Sequence, residues 1–292
     1  MYEKFFNLQT MPFENVADAR FFYASEQHRE ALAAIEYTIR MRKGIVLLTG
    51  DIGSGKTTIG QTVQQRCSRR ATIIQLLHGH ESGLELIRHV ARSLNLDTPR
   101  DDDHATVLEQ VRLHLHQQAH DNKPVVLFVD EAQTLSDSAL EELRLLTNFD
   151  HLGKRLLQLV LVGQPELRNR IRQPALAPLR QRIVMAKQLR PFDLQCTGQY
   201  IRHRLKLASA DPQNVRAQFS EDAINAIYDF TLGTPRLINV VCDNCLLLAY
   251  VKKSNLINIQ MINRVIEDMV PVFEPLDDPQ IQTSTFSLAG NF

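Results

Sequence analysis

Nothing in this chain runs apolar for long enough to cross a bilayer. Its hydrophobic runs are strand-length, whereas a membrane helix needs about 20 apolar residues. The start, Met1-Tyr2-Glu3-Lys4-Phe5-Phe6, lacks the long apolar stretch of a signal peptide. Neither sign of charge is in excess: 33 Lys and Arg balance 33 Asp and Glu, so no global field draws the chain to nucleic acid or to an anionic membrane. Cysteine is scarce, with four residues at irregular spacing, which excludes a disulfide framework. These absences lead to the expectation of a cytoplasmic protein with no membrane span, any attachment to the inner membrane coming through a partner. At 292 residues the chain is long enough for one large domain or two.

What the chain does have is Gly50-Asp51-Ile52-Gly53-Ser54-Gly55-Lys56-Thr57-Thr58, a match to G-x-x-x-x-G-K-[ST]. Ile45 to Thr49 before it reads as a buried strand, and Ile59 to Arg66 after it has no breaker and reads as a helix. That context makes the run a phosphate loop rather than a glycine-rich turn with an incidental lysine. Glycines let backbone N–H groups curl around phosphate oxygens. The free N–H groups of the new helix favour an anion. Lys56 is placed to reach the β- and γ-phosphates of a nucleotide, and Thr57 to offer a hydroxyl to Mg²⁺.

Pro124 to Val129 is a second hydrophobic strand, and it ends in Asp130-Glu131. This is the Walker B pattern, in which Asp130 holds Mg²⁺ through its water shell and Glu131 polarises the attacking water. Ala71 to Leu77, Gln158 to Val162 and Ile183 to Leu189 are further strand-like runs separated by helical segments. Strands alternating with helices indicate an α/β fold with a parallel five-stranded sheet flanked by helices. The fourth strand runs into Gly163-Gln164-Pro165. Gln164 there is either a sensor of the attacking water or a turn residue. Arg180 and Arg182 precede the fifth strand, and Gly233-Thr234-Pro235-Arg236 opens a later helix, with Pro235 in its first turn. Charge developing on a γ-phosphate needs such cations.

In this order the motifs resemble the AAA+ ATPases. The resemblance implies that Gln164 is sensor 1, Arg182 the arginine finger with Arg180 as the other choice, and Arg236 sensor 2. It also implies that His28-Arg29-Glu30-Ala31-Leu32 packs near the adenine. Within AAA+ the chain is similar to the ExeA/GspA-type secretion ATPases and the related MSHA-pilus biogenesis ATPases of the MshM type. The carriers are Tyr2-Glu3-Lys4-Phe5-Phe6-Asn7-Leu8, Pro12-Phe13, Phe21-Phe22-Tyr23, Asp130-Glu131-Ala132-Gln133, Gly163-Gln164-Pro165-Glu166-Leu167 and Pro235-Arg236-Leu237-Ile238-Asn239. The ExeA/GspA proteins continue into a membrane span and a peptidoglycan-binding region. This sequence stops before that point, so in length the MshM-like form fits better. The implied cofactors are ATP and Mg²⁺. The implied partners are further copies of the chain and a protein client in secretion or pilus assembly.

Pro191-Phe192-Asp193 breaks the pattern after the fifth strand. From there the chain reads all-helical, over Thr197 to Ser209, Ser220 to Phe230, Pro235 to Lys253 and Gln260 to Met269. The expected domains are a nucleotide-binding part over 1–190, which includes the N-terminal adenine-side segment, a small all-α lid over 191–270, and a mobile acidic tail over 271–292. Cys242 and Cys245 lie inside an apolar helix and read as core. His114, His116 and His120 read as a solvated face, without metal-site spacing. Arg168, Arg170 and Arg172 spread around one helix, either solvated or touching a neighbour or nucleic acid. Nucleic acid is the less favoured partner. The competing reading is an AAA+ regulator of DNA transposition, and the balanced charge argues against it. A scaffold that binds ATP without turnover is disfavoured by the presence of Glu131 and Arg182.

Overall fold

The computed structural model describes residues 1–76, 82–99, 101–120 and 123–273. In chain order the helices are α1 (Tyr2–Phe6), α2 (Glu26–Met41), α3 (Lys56–Cys67), α4 (Gly83–Ser93), α5 (His104–His120), α6 (Asp137–Leu146), α7 (Pro165–Arg172), α8 (Ala177–Arg180), α9 (Leu194–Ala208), α10 (Glu221–Thr231), α11 (Pro235–Val251) and α12 (Ile259–Phe273). The strands are β1 (Ile45–Gly50), β2 (Thr72–Leu76), β3 (Val125–Val129), β4 (Asp150–His151), β5 (Lys154–Arg155), β6 (Leu157–Gly163), β7 (Ile183–Leu189), β8 (Gln218–Phe219) and β9 (Leu256–Ile257).

Strands β1, β3 and β6 are buried at every position, whereas β7 is partly exposed. The pattern follows from the sheet order β2-β3-β6-β1-β7, all parallel, with β7 at an edge. A parallel strand covered by helices on both faces has no solvent side and so reads as a continuous apolar run. Successive side chains point to opposite faces. Leu47, Leu127, Leu159 and Leu161 pack with α4, α5 and α6 residues such as Val90, Val111 and Leu140. Val46, Leu48, Val126, Phe128 and Val160 pack with Ile35 and Ile39 of α2 and Ile59 and Val63 of α3. The register pairs Thr49 with Gly163 and Val129 with Leu161. The loops after β1, β3 and β6 therefore leave the same end of the sheet, where open α/β sheets hold ligands.

A third core joins α9, α10, α11 and α12 through Ile201, Leu205, Ile224, Ile227, Val241, Leu246 and Ile262. Tyr2, Phe6, Leu8, Phe13 and Phe21 are buried in this helical core, although sequence order groups them with the sheet. Their aromatic surface must be covered, and order along the chain does not specify by which core. The tie is also polar: Gln9 N donates to Ala208 O at 2.7 Å, and Ala210 N to Asn7 O at 2.9 Å.

The region after Pro191 is not wholly helical. Strands β8 and β9 form a short parallel pair, with Gln218 opposite Leu256 and Phe219 opposite Ile257. Two residues per strand leave no periodicity to read. The hairpin of β4 and β5 is equally short, and no sequence pattern announces it. The phosphate-loop helix starts at Lys56 rather than Ile59. Of the expected acidic tail, 271–273 close α12 and 274–292 lie outside the described residues. No described helix is long and apolar enough to cross a membrane.

Candidate nucleotide-binding site

The loop between β1 and α3 has the shape its glycines permit. Gly53 and Gly55 sit at φ 80° and 94°, where a side chain strains the backbone. A Cβ on Gly53 would lie 2.5 Å from Cβ of Arg236, and one on Gly55 would lie 2.9 Å from Nε2 of His28. Helix α3 opens at Lys56 without a side-chain cap, which leaves its first N–H groups for an anion in the loop. Lys56 is buried, and its Nζ donates to the carbonyls of Gly50 at 2.7 Å and Asp51 at 2.9 Å. Burial holds this ammonium below the usual lysine range, and Glu131 and Asp130 partly oppose the shift.

The next two strands supply the carboxylates. Thr57 Oγ1 donates to Asp130 Oδ2 at 3.2 Å, so the helix and the end of β3 face each other across the loop. Glu131 has φ 50°, a left-handed backbone uncommon for a non-glycine residue. Its Oε2 accepts from Gln133 Nε2 at 2.5 Å and from Gln164 Nε2 at 3.2 Å. Sequence reasoning counted Gln133 in a motif but gave it no role. Its Oε1 accepts from the Gln164 backbone N–H at 3.1 Å, and a Cβ on Gly163 would sit 2.7 Å from that oxygen. Arg170 braces the same turn, donating to the carbonyls of Gln133 and Leu135 at 2.7 and 2.8 Å and pairing with Asp137. Only the position of Gln133 beside Asp130-Glu131 could have drawn attention to it.

A cavity of about 390 Å³ lies over the loop, with Phe22, Tyr23 and His28 on one side and Lys56, Glu131 and Arg236 on another. The His28 ring pairs Nδ1 with Ser25 Oγ at 2.7 Å and Nε2 with Ser54 O at 3.1 Å. Burial lowers its pKa, an effect the Ser54 bond partly opposes. Gly233 seats α11 at the cavity: it has φ 73°, and a Cβ there would lie 1.8 Å from Phe192 O. Phe192 N donates back to Gly233 O at 2.9 Å. Deeper in the wall, Arg204 is buried with Phe21 4.7 Å from its guanidinium carbon. Its Nη1 donates to Tyr200 OH at 2.8 Å, and Tyr200 OH donates to Asn239 at 2.9 Å. Asn239 in turn donates to Asn15 Oδ1 at 3.1 Å. Tyr200 and Arg204 are one helical turn apart, but Asn15, Phe21 and Asn239 are distant from them in sequence and give no signal of this network.

Residues 39–171 match the family model described as AAA domain. Over this stretch the chain is similar to that family. The chain is 37% identical over 255 residues to general secretion pathway protein A of Aeromonas hydrophila, covering 87% of this chain and 46% of that protein. It thus spans less than half the length of that relative. Among solved structures, the ORC2 protein of Aeropyrum pernix, in ADPNP–ADP complexes, superposes with a TM-score of 0.64 at 14% identity, covering 89% of this chain and 72% of that one. Cdc6p of Pyrobaculum aerophilum gives 0.63 at 18% identity, covering 94% and 74%. At these identities the likeness is one of fold.

The end of the parallel sheet brings Lys56, Thr57, Asp130, Glu131 and Gln164 together, and Arg236 joins them from α11. Arg182 is elsewhere, before β7 at the opposite end of the sheet. The two arginines there differ. Arg180 Nη1 donates to the carbonyls of Arg172 at 2.7 Å and Ile171 at 3.3 Å, closing the end of α7. Arg182 Nη1 is buried without a partner. The arginines of α7 are not simply solvated: Arg170 braces the Gln133 turn, and Arg168 donates to Gln188 Oε1 at 2.6 Å. Cys242 and Cys245 are buried in α11, and burial raises both thiols, Cys245 to about 12. Of the histidine cluster, His116 stacks edge-on with His151 at 5.9 Å, and the side chain of His120 lies outside the described residues.

Proposed function

We propose that this chain binds ATP with Mg²⁺ and hydrolyses it to ADP and phosphate, and that the cycle powers or switches assembly of a bacterial secretion or MSHA-like type IV pilus machine. The observation that carries the reading is the meeting of the Lys56 loop, the Thr57–Asp130 pair and the Gln164–Glu131 pair at one end of the sheet. Backbone N–H groups from Gly50 to Thr58, with Lys56, hold the phosphates. Thr57 Oγ1 and Asp130 Oδ2 are hard oxygen donors at one spot, which suits Mg²⁺. Among the described residues no cluster of three His, Cys, Asp or Glu forms a cage of its own, so the metal would arrive with the nucleotide. When bound it would neutralise negative charge on the phosphates. Glu131 takes a proton from the attacking water, Gln164 orients that water, and Arg236 meets the γ-phosphate from the lid.

The proposed organisation is an AAA unit ending near 190 and a helical lid over 191–270, with residues 2–21 packed on the lid. Arg182 acts on a neighbour's ATP, which makes the active form a homo-oligomer. The similarity to general secretion pathway protein A supports the secretion assignment. The nucleic-acid reading leans on the arginines of α7, of which Arg168 and Arg170 are bonded within the chain. The test pairs two variants. Lys56→Ala abolishes binding of a fluorescent ATP analogue, whereas Glu131→Gln keeps binding and loses phosphate release by about 10²-fold or more. Normal turnover in Glu131→Gln removes Glu131 from its role.

A further inference from the structure

Arg182 stands in a cleft of about 240 Å³ with Lys43, Arg155, Gln181 and Thr147. The cleft is smaller than the roughly 300–1,000 Å³ that encloses a drug-sized ligand, and it suits a phosphate group better than a whole nucleotide. Its walls are locked together. Gln158, fully buried, donates to Arg155 O at 2.9 Å and accepts from Gly44 N at 3.2 Å. Arg155 N donates to Arg42 O at 3.4 Å. The segments that carry Lys43, Arg155 and Arg182 thus border one space.

The charge in that space is only partly balanced from within: Arg144 pairs with Glu141 and Arg155 lies near Asp150, but Arg182 has no carboxylate of its own. Arg182 Nη1 is buried with no acceptor. Burial, then Arg155 and Arg144, pull the guanidinium below its ordinary range, and no carboxylate among the described residues opposes them. Arg155 uses one donor, Nη1, on Asn148 O at 3.1 Å, with Asp150 Oδ2 3.7 Å from the same atom. A buried donor left unmade is unfavourable, and crowding like charges adds to that, so the arrangement calls for an anion. This chain's own nucleotide does not supply it. The cleft is at the Ile45 end of β1 and the phosphate loop begins at Gly50. Five strand steps separate them by about 16 Å.

We propose that Lys43, Arg155 and Arg182 form one phosphate site, which receives the terminal phosphates of ATP held by a second copy of this chain. The inference rests on the trans reading of Arg182 and adds Lys43 and Arg155 to it. Three cations converging on one polyphosphate stabilise more of its charge than a lone arginine.

The test mixes full-length variants and measures steady-state phosphate release. Arg182→Ala keeps its own phosphate loop, and Lys56→Ala keeps its own cleft, so the mixture regains hydrolysis at mixed interfaces. Adding Lys43→Ala or Arg155→Ala to the Lys56→Ala partner then lowers the regained activity by at least ~10-fold. Arg155→Lys in the same partner restores most of it. Lys43→Ala alone keeps the urea unfolding midpoint of the unsubstituted chain, which shows that it is folded. Equal rescue by the double variants overturns the inference and leaves the role of Arg182 standing. Failure of Lys56→Ala itself to rescue overturns the trans reading, and this site with it. Equal rescue with salt-dependent binding of double-stranded DNA that Lys43→Ala abolishes gives the cleft to nucleic acid and overturns the inference as well.

Discussion

Glu131 adopts a backbone conformation that few glutamates do, and two glutamine side chains hold its carboxylate there. Positioning of this kind matters because a misplacement near 1 Å can cost about 10²-fold in rate. Gln133→Ala is therefore expected to lower kcat by roughly 10²-fold while KM and analogue binding change little. If binding falls in parallel with kcat, Gln133 only props the loop. His28 makes a prediction of a different kind. Its pKa is lowered in the folded chain, so around and below pH 6.5 the unfolded chain binds the extra proton more readily. Stability from this residue is present above the unfolded value and is lost as pH falls toward the folded one. Urea midpoints should drop between about pH 7.5 and 5.5, and His28→Gln should flatten that drop. An unchanged slope in the variant assigns the pH dependence to other groups.

At the scale of elements, α11 is seated by a single glycine. Gly233→Ala combines a positive φ with a Cβ 1.8 Å from Phe192 O, and the expected loss is about 2–3 kcal/mol in urea unfolding. Gly153 has φ 74°, and a Cβ added there would meet nothing within 4 Å, so Gly153→Ala isolates the backbone term, at about 1 kcal/mol or slightly more. Equal losses at the two sites mean that the approach of α11 to Phe192 contributes nothing. Helix α7 gives a related lesson. Its arginines look from the sequence like a solvated or partner-facing array, yet Arg170 holds the turn after Glu131 and Arg168 bonds Gln188. A 3.6-residue period shows that side chains fan around a helix, not which neighbouring loop each one reaches.

Across the whole molecule, Arg236 is the link between the helical core and the phosphate loop, packing on Gly53. In the proposed role of Arg236, a γ-phosphate would give that link a partner that ADP lacks. Such a differential contact shifts an equilibrium between open and closed arrangements. Hydrogen exchange over 194–269 is expected to slow with ATP relative to ADP in Glu131→Gln protein, and Arg236→Ala should erase the difference. Equal protection with both nucleotides removes the lid as the switch.

The sequence by itself determined the parts whose physics is local. The phosphate loop, the Asp130-Glu131 strand end and the five strand cores each depend on short runs of the chain, because glycine conformation, strand burial and helix start are set by near neighbours. The four helices after Pro191 were legible for the same reason, through caps such as Ser220, whose Oγ accepts from Ala223 N at 3.2 Å. Tertiary structure alone decided that Gln133 meets Gln164, that Arg204 reaches Phe21, and which core takes Tyr2 to Phe21. Those outcomes turn on contacts between segments far apart in the chain. Such contacts are fixed by the closing of the sheet and the packing of its layers, and no local pattern in the chain records them.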